Sequence, residues 1–82
     1  MSEKELLLKV GYGVAGLLQY KFADNEITRK AGRVRYLAIK RELAKTFSLT
    51  YKEVDEIFTM CAVDAPIRPI YNQFAQYLGV RV

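Results

Sequence analysis

The chain has 82 residues, 51% of them hydrophobic and 27% charged, a balance that supports one core and argues against disorder. A domain this short buries only about 60–65% of the surface its unfolded chain exposes, so self-association or a partner would add usefully to its stability. The formal charge is +4, histidine is absent and there is one cysteine. An internal disulfide and the usual zinc ligand sets are therefore excluded.

Ser2 and Glu5 have the spacing of a capping box and start a first helix near Glu3. Leu6, Val10, Val14 and Leu17 form one apolar stripe along it. Leu7, Leu8, Leu18 and Phe22 extend further round, which predicts a helix buried on more than one side, either central or at a dimer seam. Its longest apolar stretch, Leu6 to Leu18, contains Lys9 and three glycines and falls short of the roughly 20 residues needed to span a bilayer. Glu3 and Glu5 precede that stretch and no small-residue cleavage site follows, so a secretory signal is not expected and the reading is cytoplasmic.

Gly11, Gly13 and Gly16 spell G-x-G-x-x-G, the pattern of a dinucleotide-binding turn. That turn needs a strand before it and an acidic residue about 20 positions later, whereas the region around Arg33 to Tyr36 is basic and patterned as helix. The preferred reading is a set of small residues that admits a neighbouring helix; each interior glycine costs about 1 kcal/mol relative to alanine, which leaves a continuous and a kinked or broken first helix both open.

Asp24-Asn25-Glu26 makes a turn, and Thr28 caps a second helix that runs to Phe47 with a bend expected at Gly32. Ile39, Leu43, Ala44 and Phe47 recur at helical spacing from Tyr36 onward. Between Arg29 and Lys45 stand Arg29, Lys30, Arg33, Arg35, Lys40, Arg41 and Lys45 against a single acid, Glu42. This cluster is either a solvated helix face or a phosphate-contact surface. Thr50 and Glu53 repeat the capping-box spacing, and Val54, Ile57, Phe58 and Cys61 follow as the most regular stripe of the chain. Cys61 reads as a small core hydrophobe. Asp64 to Pro69, with both prolines, separates the third helix from a fourth. The fourth brings Ile70, Tyr71, Phe74, Ala75, Tyr77 and Leu78 to the core, with Gly79 as its cap. Val80-Arg81-Val82 reads as a frayed end or a short strand. The expected architecture is all-α: one domain over residues 1–82, with three to four helices and a helix-turn-helix-like central pair.

The stretch Lys40 to Thr59 resembles the helix-turn-helix unit of phage and bacterial repressors. Ala44 stands where that family has the small residue at the helix crossing. Phe47 and Leu49 flank the turn, and Val54 and Ile57 hold the two locking positions of the second helix. Ser48 occupies the turn position that is usually glycine, a place that requires a positive φ. The resemblance implies duplex DNA as partner, with Arg29, Lys30, Arg33, Arg35, Lys40, Arg41 and Lys45 on phosphates and Thr50, Tyr51 and Lys52 near base edges. The outer face of the third helix would present these last three with Asp55, Glu56 and Thr59, and the two acids would repel phosphate.

No residue set suits general acid-base or nucleophilic catalysis, so the sequence predicts a non-enzyme without cofactor or metal. Tyr36, Tyr71 and Tyr77 fall on or near core stripes. The leading reading is a DNA-binding protein, a transcriptional regulator, that self-associates through the first helix. The rival is a helical protein-interaction module whose acidic third helix meets a basic partner.

Overall fold

A computed structural model of the protein describes residues 1–60 and 67–79. Its α-helices are α1 Glu3–Phe22, α2 Glu26–Phe47, α3 Tyr51–Met60 and α4 Ile67–Ala75, followed by a 3-10 turn over Gln76–Leu78. Among the described residues there is no strand, in agreement with the all-α reading. Cys61, Pro66 and Val80–Val82 lie outside them. No helix is long and apolar enough to cross a membrane among the described residues.

Local chemistry sets the helix starts. The Ser2 hydroxyl oxygen accepts from the Glu5 N–H at 3.1 Å, which satisfies one of the donors left open at the start of α1, and the hydroxyl donates to the Glu5 carboxylate at 3.3 Å. Asn25, three residues after α1 ends, accepts from the Thr28 N–H at 2.8 Å. The cap of α2 is therefore Asn25 and not Thr28, an amide three residues earlier doing the same work. Pro69 sits inside α4, not before it. It is tolerated because a first-turn residue has no intrahelical partner for its missing N–H. Gly79 takes the left-handed conformation that ends the last turn, with φ 79°.

α1 and α2 form an antiparallel hairpin, since Lys9 pairs with Glu42, Gly13 meets Ile39 and Gly16 meets Gly32 in opposite chain directions. The glycines explain how close they lie. A Cβ on Gly16 would fall 2.9 Å from the Gly32 carbonyl oxygen and from the Tyr36 nitrogen. One on Gly13 would fall 3.0 Å from Ile39 and Phe58. These small residues admit a neighbour, as expected. No break occurs: α1 is one helix from Glu3 to Phe22, because packing of its buried side against α2 and the core offsets the glycine cost. α2 likewise continues through Gly32.

Leu6, Val10 and Val14 of α1, Ile39 and Leu43 of α2, Val54 and Phe58 of α3, and Ile70 and Phe74 of α4 make the core. The Phe74 ring lies 5.9 Å from that of Phe47 and 5.6 Å from that of Phe58, tying α4 to α2 and α3. Tyr36 and Tyr71 are buried with them. Tyr77 departs from expectation: it rests against Phe47 at 5.5 Å yet is half-exposed, because the helix has narrowed to a 3-10 turn there. The second side of α1 is also a correction. Leu7, Leu8, Leu18 and Phe22 are 45%, 65%, 45% and 73% exposed, so α1 is not central, since α2 and α4 cover only one side of it.

Ser48 joins α2 to α3 with φ 56° and ψ 42°, the positive φ expected at that place. Leu49 N–H then donates to the Ala44 carbonyl at 2.9 Å and closes the corner. A side chain in this region costs about 1–2 kcal/mol, and the extra freedom of unfolded glycine returns about 0.5–1 of that. Ser48→Gly is therefore expected to stabilise by roughly 0.5–1 kcal/mol, raising the melting temperature by a few degrees. A lower melting temperature would mean that the Ser48 side chain carries a compensating contact.

Candidate nucleic-acid interface

The seven basic side chains of α2 divide by what surrounds them. Three are engaged within the chain. Arg29 donates to the Ala23 carbonyl at 3.2 Å, satisfying an acceptor at the C-terminus of α1. Arg35 donates to Gln19 Oε1 at 3.0 Å and lies over the Tyr12 ring at 5.6 Å, joining the hairpin arms. Lys40 reaches Asp55 Oδ2 at 3.1 Å while lying 5.5 Å from the Tyr36 ring and 5.8 Å from that of Tyr51. Lys30, Arg33, Arg41 and Lys45 are exposed, and none forms an ion pair among the described residues. Positions 30, 41 and 45 fall within one narrow arc, because eleven residues is almost three whole helical turns and four more is one.

The joint between α2 and α3 is a polar cluster that sequence reading missed. The Tyr36 hydroxyl donates to Asp55 Oδ1 at 2.5 Å and Lys40 holds the other carboxylate oxygen. The Tyr36 ring meets Phe58 edge-on at 5.3 Å. Burial, then the hydrogen bond and negative charge of Asp55, push the Tyr36 phenol well above its ordinary ionisation range. The hydroxyl thus stays protonated and remains a donor. Asp55 is accordingly not on the outward face of α3, as its position after Thr50 suggested, but turned back onto α2. The available signal was the i, i+4 pair Tyr36 and Lys40, a donor and a cation on one side of α2 that an acid from the next helix can join.

The start of α3 is built by its capping box. Thr50 N–H donates to Glu53 Oε1 at 3.0 Å and Glu53 N–H donates to Thr50 Oγ1 at 3.1 Å. Thr50's backbone N–H, and then its side chain, hold the Glu53 carboxyl below its ordinary value. The Thr50 hydroxyl is thereby committed to the cap, and the Thr59 hydroxyl donates to the Asp55 carbonyl at 2.8 Å. Of the six residues expected on the outer face of α3, Tyr51, Lys52 and Glu56 keep exposed side chains with no hydrogen bond or ion pair among the described residues. Arg41 and Lys45 before the Ser48 corner and Tyr51 and Lys52 after it are therefore exposed side chains of the α2–α3 unit. No cluster of three or more metal-ligating side chains occurs among the described residues.

Comparison with protein-family models, with curated proteins and with solved structures gives no match to this chain.

Proposed function

We propose that the protein binds duplex DNA through its α2–Ser48–α3 unit, as a cytoplasmic transcriptional regulator that acts as a homodimer. The observation that carries this reading is the corner itself: a left-handed residue between two helices, with uncommitted cations on the first and an exposed Tyr51-Lys52 step opening the second. In this reading Lys30, Arg33, Arg41 and Lys45 neutralise phosphates and release condensed counterions, which supplies most of the affinity. Tyr51 and Lys52 approach base edges, where α3 enters the major groove. The Asp55 charge is matched by Lys40, so one acid of α3 repels phosphate less and one cation of α2 leaves the phosphate-contact set. Arg29, Arg35 and Lys40 serve as supports of the fold.

Electrophoretic mobility of random duplex DNA at low and moderate salt tests the proposal. A shift at low salt that weakens as salt rises is expected, and no shift at low salt with micromolar protein would overturn it. Arg41→Ala with Lys45→Ala should leave the thermal melt nearly unchanged, since both side chains are exposed and outside the core. It should weaken binding to all sequences alike and reduce the salt slope by about 0.9 for each lost contact. Arg29→Ala and Arg35→Ala should instead lower stability and leave the slope unchanged.

A second reading, a helical module that docks onto another protein, is favoured by the exposed apolar side of α1. The acidic face first expected to carry such docking is weaker without Asp55, and Glu56→Ala separates the two ideas. Tighter non-specific DNA binding follows if α3 faces DNA. Unchanged DNA affinity together with a lost protein partner favours docking.

A further inference from the structure

The outward side of α1 is an apolar strip on a basic protein. On a helical wheel, Leu7, Leu8, Gly11, Ala15, Leu18 and Phe22 fall within about a third of the circumference, and Lys4 is the one charge among them. The four large residues keep from 45% to 73% of their surface exposed. Gly11 sits at the middle of the strip and the fold does not require it there: a Cβ would meet nothing within 4 Å, unlike one at Gly13 or Gly16. An interior glycine costs about 1 kcal/mol against alanine with no intramolecular return.

We infer that this strip is covered by the same strip of a second copy of the chain, the two α1 helices lying antiparallel and crossing at Gly11 and Ala15. The order of the strip is nearly the same read from either end: large residues outside, two small ones between. This suits a two-fold contact, in which every pair of contacts occurs twice: Gly11 meets Ala15, Leu7 and Leu8 meet Leu18, and Phe22 lies against the aliphatic stem of Lys4. Charge sets the direction. Glu3 and Lys21 are eighteen residues, or five turns, apart, and so stand on one flank at opposite ends of the helix. Antiparallel copies keep this flank on one side of the pair and bring Glu3 to Lys21 twice, whereas parallel copies send the flank to opposite sides and leave neither charge with its complement. The antiparallel pairing also aligns the two helix dipoles favourably. A 20-residue helix is about 30 Å long and 10 Å across, so pairing two buries on the order of 1,000 Å², near the lower bound for a specific interface. The interface is thus sized for a reversible dimer. This rests on the self-association part of the proposed function and is independent of DNA.

Sedimentation equilibrium of the full chain across the micromolar range, without nucleic acid, tests it. A monomer–dimer equilibrium is expected. Gly11→Leu fills open space in one copy and improves its helix, so circular dichroism should stay helical while dimerisation weakens at least tenfold. Leu18→Glu should do the same. Glu3→Lys should weaken the dimer, and adding Lys21→Glu should restore it. Such restoration cannot come from the isolated helix, because both changes oppose its dipole. A wild-type monomer throughout would overturn the inference and leave the strip to a different occupant. A dimer indifferent to both Gly11→Leu and Leu18→Glu would overturn the interface, and failure of the double charge reversal to restore would overturn the antiparallel arrangement. A dimer that shifts no DNA would preserve this inference and sink the DNA reading, and a monomer that shifts DNA would do the reverse.

Discussion

Gly32→Ala is expected to lower stability by about 2 kcal/mol or more, although alanine is the better helix former. The added Cβ would stand 2.5 Å from Gln19 Cβ, 2.6 Å from the Gly16 carbonyl oxygen and 2.7 Å from the Tyr20 nitrogen. Two of these atoms are backbone and the third is fixed to it, so no rotamer change relieves the contact. The hairpin arms must separate along their length. Overpacking costs about 1–3 kcal/mol and occasionally more. Contacts this short to backbone atoms belong at the upper end, about 3 kcal/mol or more, against a helix gain of about 1. Gly11→Ala provides the contrast, because the same substitution on the same hairpin enters open space. Measured at concentrations where the chain is monomeric, it should raise stability by about 1 kcal/mol. Urea unfolding midpoints check both, and a Gly32→Ala protein as stable as the wild type would show that α1 and α2 do not approach at these glycines.

Phe74→Ala is expected to cost about 3–5 kcal/mol, the largest effect of any single truncation in α4. Phe74 is fully buried between the rings of Phe47 and Phe58, so its removal opens a cavity where three helices meet. A domain of 82 residues holds roughly 4–12 kcal/mol in total, so the variant should be partly unfolded at 37 °C or have a melting temperature many degrees lower. Phe22→Ala removes the same ring from a site 73% exposed and should change the monomer's stability by less than about 0.5 kcal/mol. If the two substitutions prove equally mild, α4 does not close the core.

The amino-acid sequence by itself determined the helices and most of their ends. Capping boxes, the left-handed corner at Ser48 and the stripes through Leu43 and Val54 are decided within about four residues, by hydrogen bonds and side-chain spacing that the local chain carries with it. The tertiary structure alone decided which members of each look-alike group do which task. Gly11, Gly13 and Gly16 read as one motif, yet Gly13 and Gly16 face α2 and its neighbours while Gly11 faces outward. Arg29, Arg35 and Lys40 look like Arg41 and Lys45 along the chain, but Ala23, Gln19 and Asp55 engage the first three. Asp55 read as an outward acid because nothing local opposes it, until Tyr36 and Lys40 arrive from another helix. Periodicity fixes the side of a helix on which a residue stands. What occupies the space on that side depends on partners that are distant in sequence, brought there by how the helices cross, and that decided which of the predicted cations remain uncommitted.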